Sequence, residues 1–203
     1  MKHLQHLKKD KVLASILKHH QPVELKPEKN LCLFLCYSII SQQLSTKVAA
    51  VIRERFLALN GHRKPSVTTI LSTPFEKLKS IGLSTSKTTY ILNVCEYFIQ
   101  HQLSDAKLHR MNDHEIISCL TQIKGVGKWT VEMMLMFAMQ REDVFSNDDL
   151  GIQQQMAKLY GLNLQNKKIL KEQMNTIADK WKPYRSYACR YLWGWKDTAG
   201  NNQ

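Results

Sequence analysis

Residues 123–137 read IKGVGKWTVEMMLMF. Gly125 and Gly127 flank a valine, a lysine follows, and an apolar helical pattern then opens on Trp129. Glycine reaches positive φ without a Cβ penalty, so it commonly closes a helix. One helix therefore ends near Ile123 and another starts near Gly127. The amides of Gly125, Gly127 and Lys128 stand at the start of the second helix, where backbone N–H groups bind a phosphate oxygen without reading sequence. Lys124 and Lys128 add positive charge beside them. The same residues also satisfy an ordinary helix–helix turn, so the choice rests on the rest of the chain.

Helical periodicity continues on both sides of this turn. It predicts helices over 11–19, 30–42, 45–59, 67–71, 74–80, 84–100, 113–122, 127–139, 149–160, 166–181 and 183–195. Gly61, Gly82 and Gly161 follow periodic segments, and Pro74 and Pro183 suit first-turn positions. Ser84 and Asn166 are N-cap candidates. No strand pair with hairpin chemistry is evident. The expected fold is all-α. The segments LKSIGLSTSKTTYIL and LTQIKGVGKWTVEMML are weakly alike, which suggests two glycine turns of similar build.

The chain has 203 residues, with 29 Lys plus Arg against 17 Asp plus Glu, for a formal charge of +12. Such an excess favours a polyanionic partner, nucleic acid or an anionic membrane surface. The uncharged run from Leu31 to Thr46 is too short and polar to span a bilayer. The charged N-terminus does not read as a signal peptide, and an intracellular location is expected. The five cysteines are odd in number and irregularly spaced, against a disulfide framework. Cys32 and Cys36, one helical turn apart in an apolar run, read as small buried hydrophobes and not as metal ligands. No cysteine cluster offers an iron–sulfur ligand set.

The block KGVGKWTVEMMLMFAMQREDVFSNDDLGIQQ (124–154), followed by KWKPYRSYACRYLWGW (180–195), resembles the helix–hairpin–helix DNA glycosylases. Within them it is most similar to the alkyladenine branch, the 3-methyladenine DNA glycosylase II type. The likeness begins near SIISQQLSTKVAA (38–50) and covers roughly three quarters of the chain. It implies two helical lobes with a cleft between them. Lobe one would span mainly 30–110 and lobe two mainly 111–203, with 1–29 packing on lobe two as part of one domain. It also implies a compact form without the extra N-terminal β-domain of the bacterial enzyme, a monomer, no cofactor, no metal, and duplex DNA containing alkylated bases as partner.

The resemblance also assigns roles. The second acid of DVFSNDD, Asp149, matches the family's catalytic aspartate, leaving Asp148 as a helix cap. On the residues alone either acid could be a cap, and Ser146-x-x-Asp149 fits a capping box. Trp129 stands where glycosylases with lyase activity carry a nucleophilic lysine, so the resemblance implies a monofunctional enzyme that uses water. Trp129, Met133 and Trp193 would line the base pocket; Met133 replaces a tyrosine of the bacterial enzyme. Core packing is the plain alternative for all three. Hairpin residues Lys124, Gly125, Val126, Gly127 and Lys128 would grip the DNA backbone. In SIISQQLSTKVAA, Leu44 or Gln43 would fill the gap left by a flipped base, with Ser45 facing the groove or capping a helix. Gly82, Ser84 and Lys87 would lie near phosphates, and Arg185 and Ser186 near the cleft. The rival readings are a glycosylase for another lesion and a non-catalytic DNA-binding relative.

Overall fold

The structure, a computed structural model, describes residues 1–17 and 27–199. Those residues form thirteen α-helices and no strand. Two compact units result: Pro27–Met134, and Met1–Lys26 with Leu135–Gln203. No helix among the described residues is long and apolar enough to cross a membrane.

The Pro27–Met134 unit is organised around α3 (Leu31–Ser41). Asn30 caps it by accepting a hydrogen bond from Leu33 N at 2.9 Å. Its apolar residues lie on every side, and Leu31, Leu33, Leu35, Ile39 and Ile40 are buried, as expected of a central helix. Burying each such side chain contributes about 1.5–3 kcal/mol. Around it pack α4 (Thr46–Ala58) and α7 (Thr85–Gln100), while α5 (Val67–Ser72) and α6 (Phe75–Lys79) cover α7. Ser84 caps α7 through Lys87 N at 3.2 Å. Short α8 (Asp105–Arg110) leads to α9 (Asp113–Leu120), which opens with an Asn112–Glu115 capping box. The last helix, α10 (Lys128–Met133), packs on α9 and α3. These contacts keep residues 111–134, which the sequence places with the C-terminal lobe, in the same unit as α3.

In the other unit, α1 (Lys2–Leu7) and α2 (Lys11–Leu17) join α11 (Leu150–Tyr160), α12 (Lys167–Ala178) and α13 (Arg185–Ala199). α13 packs against α11 and α2. Fully buried Trp181 donates its indole N–H to Asp10 Oδ2 at 3.0 Å, and the Tyr160 hydroxyl donates to the same oxygen at 2.7 Å.

Several boundaries differ from the periodic reading. α1 and α8 add to the expected helices. The helix expected over 127–139 is α-helical only to Met133 and continues as a π-helical turn, Met134–Ala138. The helix expected over 166–181 ends at Ala178 and tightens into a 3-10 turn, Asp179–Trp181. Pro183 precedes α13 by two residues and is not in its first turn, and Pro74 is the N-cap of α6. Residues 18 and 19 of the predicted 11–19 helix lie outside the described residues.

Candidate active site

The glycine hairpin joins α9 to α10. Gly125 has φ +103°, and a Cβ there would lie 2.3–2.7 Å from the ring and Cβ of Tyr90. Glycine is thus required twice, by backbone conformation and by the tyrosine beneath it. The carbonyl of Gly125 accepts from Gln42 Nε2 at 3.2 Å, and that of Lys124 from Asn93 Nδ2 at 3.3 Å. Gly127 is the N-cap of α10 at φ −91°, and a Cβ there would touch nothing within 4 Å. Val126 is buried and its amide donates to Ile123 O at 3.0 Å, so its part in the hairpin is to anchor it. Lys124, Gly127 and Lys128 are exposed; Lys128 Nζ lies 3.3 Å from Glu132.

The turn between α3 and α4 belongs to the same unit. Gln43 adopts φ +57°, uncommon for a residue with a side chain, and Leu44 is 37% exposed. Ser45 is the N-cap of α4, accepting from Val48 N at 3.4 Å. Lys87 donates its ammonium to the carbonyls of Ile40 at 2.9 Å and Gln42 at 2.7 Å, bracing the end of α3. Burial lowers the pKa of this amine. Gly82 and Ser84 are exposed; Gly82 has φ +109°.

A cavity of about 420 Å³ opens beside this turn, lined by Ser38, Ser41, Gln42, Gln43, Arg53, Trp129 and Met133. Trp129 stays 43% exposed, whereas Met133 is 7% exposed. Arg53 was not singled out from the sequence, where it reads as a solvent charge on α4. Its guanidinium donates to Ser41 Oγ at 2.6 Å and Tyr37 O at 3.3 Å, and stands 5.3 Å from the centre of the Tyr37 ring. A held cation therefore lines the cavity.

In the other unit, half-buried Asp149 caps α11. Its Oδ1 accepts from Ile152 N at 2.8 Å and from Trp193 Nε1 at 3.1 Å. Trp193 stacks on Phe137 at 5.4 Å. A Cβ on Gly151 would stand 3.0 Å from Asp149 Oδ1 and 3.4 Å from the Trp193 ring, so this glycine makes room for the pair. Asp148 is not the cap: it forms an ion pair with Lys171. Ser146 opens no capping box either, because the N-cap of α11 is Asp149, three residues further on, and Ser146 is fully buried.

The motif Arg185-Ser186 braces the segment before Asp149. Arg185 Nε and Nη2 donate to the two oxygens of Asp143 at 2.7 and 3.0 Å, a two-pronged pair that fixes orientation as well as position. Ser186 Oγ donates to Arg141 O at 2.7 Å and accepts from Val144 N at 2.9 Å. The structure thus brings Trp193 to Asp149 in one unit and Trp129 to Met133 in the other.

The likeness of the chain to known proteins is extensive. Residues 36–183 match the HhH-GPD superfamily base excision DNA repair proteins. Putative DNA-3-methyladenine glycosylase YfjP of Bacillus subtilis is 31% identical over 94% of this chain and 69% of its own length. DNA-3-methyladenine glycosylase 1 of Schizosaccharomyces pombe is 31% identical over 90% of this chain and 80% of its own. Among solved structures, DNA-3-methyladenine glycosidase from Bacillus halodurans aligns with a TM-score of 0.84 at 32% identity, covering 97% of this chain and 89% of that one. The S. pombe 3-methyladenine DNA glycosylase Mag1, in complex with abasic DNA, aligns with a TM-score of 0.81 at 30% identity, covering 95% of each chain. The matched span holds the glycine hairpin, the Ser38–Ala50 segment and Asp149 together, and with them the chain belongs to the HhH-GPD superfamily of base excision DNA repair proteins.

Proposed function

We propose that the chain is a monofunctional DNA glycosylase that flips N-alkylated purines out of duplex DNA and hydrolyses their glycosidic bond, leaving an abasic site. The observation that carries this reading is the seat of Asp149: one carboxylate oxygen tied by a backbone amide and an indole N–H. Cleaving the bond from C1′ to the base nitrogen builds positive charge on the sugar. A fixed anion stabilises that oxocarbenium-like state and can orient or deprotonate the attacking water. An N-alkylated purine already carries positive charge, so it departs with little help from an acid.

The other roles are assigned by residue. Trp129 offers an indole face to a cationic base, an attraction worth about 0.5–2 kcal/mol, and Met133 adds a polarisable thioether. Trp193 serves through its hydrogen bond to Asp149. Leu44, or Gln43 beside it, offsets part of the few kcal/mol that base extrusion costs. The hairpin amides and Lys124 and Lys128 hold backbone phosphates. Water is the nucleophile, because the position of a Schiff-base lysine is Trp129. The protein acts as a monomer on duplex DNA. Relatives bearing the name DNA-3-methyladenine glycosylase support the substrate class.

The test is incubation with methylated duplex DNA and chromatography of the freed bases, wild type beside Asp149→Asn. Release of 3-methyladenine or 7-methylguanine by the wild type alone supports the proposal, and equal turnover by the variant refutes it. Borohydride is expected to trap no protein–DNA adduct. One observation favours a second reading: the Arg53 cation lining the cavity opposes a positively charged base and suits a neutral damaged purine that presents a hydrogen-bond acceptor. The same assay on DNA carrying a neutral lesion decides between the two.

A further inference from the structure

We propose that Cys32, Cys36 and Cys95 form a three-thiol site for a trivalent arsenic-type thiophile in the core of the Pro27–Met134 unit. Cys32 and Cys36 lie one turn apart on α3, and α7, packed against it, contributes Cys95. Their three Sγ atoms lie within 4.8 Å of one another, and all three residues are buried at 3% exposure or less. With metal–sulfur bonds of about 2.3 Å, three sulfurs around one atom stand roughly 3.5–4 Å apart. Closing the site would therefore take up to about an ångström of movement, shared between side-chain rotation and the two helices. The first two thiols read as core hydrophobes from their spacing; the third partner, from another helix, changes their chemistry.

Charge selects the occupant. Asp105, an anion, lies at the start of α3, where it accepts a hydrogen bond from Leu31 N, one residue before Cys32. A divalent ion held by three thiolates would leave a net negative charge in this apolar core, at a large desolvation cost. Arsenious acid leaves none: As(OH)₃ and three thiols give As(SR)₃ and three waters. Three As–O and three S–H bonds break, three As–S and three O–H bonds form, and arsenic stays trivalent. The product is neutral and three-coordinate.

The experiment uses the full chain, reduced with a phosphine, with sodium arsenite as the probe and cadmium chloride as the comparison. Each is tested on the native protein and on protein refolded in its presence, since α3 and α7 must part to admit it. Native mass spectrometry is expected to show one arsenic bound with loss of three protons, near-ultraviolet absorption from sulfur–arsenic bonds, and a raised melting temperature. Cys95→Ala, which removes only the thiol sulfur, should abolish the three-proton adduct while melting as one cooperative unit. Cys119→Ser should retain it. Absence of uptake by both native and refolded protein overturns the proposal. So does an unchanged adduct in Cys95→Ala, or preferential uptake of cadmium.

Discussion

The two parts of the proposed machinery are held in unlike ways. Asp149 is tied on every link: its oxygen to Ile152 and Trp193, the preceding segment to Arg185 and Ser186, the neighbouring acid to Lys171. The Gln42–Leu44 turn is lighter. It hangs on the Lys87 ammonium and on Gln42 itself, with Gln43 at positive φ and Leu44 exposed. The difference follows from the tasks proposed for them. An anion that stabilises developing charge works only if it is already oriented, since reorientation would cost part of the barrier it lowers. A side chain that enters a base stack must move as the stack opens, and lies on a segment with few ties.

The largest effect is expected at the rigid end. Asp149→Asn keeps an N-cap acceptor for Ile152 N, so the helix survives, but it removes the charge. Single-turnover base release should fall on the order of 10²-fold or more, with DNA affinity kept. A fall in affinity that matched the fall in rate would place Asp149 in binding. Next comes Gly125→Ala, which sets a Cβ inside the contact radius of Tyr90 at a φ that alanine rarely adopts. The backbone alone costs about 1–3 kcal/mol. Urea midpoints should drop and DNA affinity with them, while Gly127→Ala, which meets open space, should change the midpoint little. Equal losses for the two glycines would break the assignment of Gly125 as the constrained one.

Trp193→Phe tests the tie and not the charge. It removes the N–H from Asp149 Oδ1 and keeps a ring to stack on Phe137. A hydrogen bond to a charged group is worth about 1.5–3 kcal/mol, so base release should slow by about tenfold or more with little change in KM. A change confined to KM would return Trp193 to the base pocket. At the lighter end, Lys87→Met removes the brace from Ile40 and Gln42, and DNA affinity should weaken a few-fold. The salt dependence separates the two roles for this lysine. A phosphate contact lowers the slope of log K against log salt by about 0.9, whereas a brace leaves it unchanged. An unchanged slope is expected.

What the sequence could convey follows from the range of each interaction. Caps and glycine turns act over three or four residues, and Ser84, Asn166 and Gly161 stand where local rules put them. The π-helical turn at Met134–Ala138 has no such rule, since its residues continue the apolar period of an α-helix. The motif resemblance names Asp149 as the catalytic candidate and gives the cap to Asp148, but both acids precede the same helix and the backbone makes Asp149 its N-cap. Trp193 reaches Asp149 across 44 residues and Lys87 reaches Ile40 across 47, distances over which periodicity says nothing. Arg53 is the plainest case. An arginine on an amphipathic helix looks solvated until the wall of a cavity is seen beside it.

The smallest effect on activity, and the cleanest on stability, is expected at Asp10. Burial alone would raise its pKa, but hydrogen bonds from Trp181, Leu13, Tyr160 and Val12 outweigh that and hold it below the usual carboxylate range. A carboxyl depressed in the folded state stabilises the fold in full above the unfolded value of about 3.9, and that share is lost as pH falls through the folded value. Oδ1 accepts from Val12 N and Leu13 N, and Oδ2 from Tyr160 and Trp181. Asparagine has one acceptor oxygen and cannot serve both sides. Asp10→Asn should therefore lower the urea midpoint at pH 7 and lose less of it than the wild type between pH 5 and roughly pH 2, so the two curves converge in acid. Parallel curves would mean that this carboxylate is not what ties α2 to Tyr160 and Trp181.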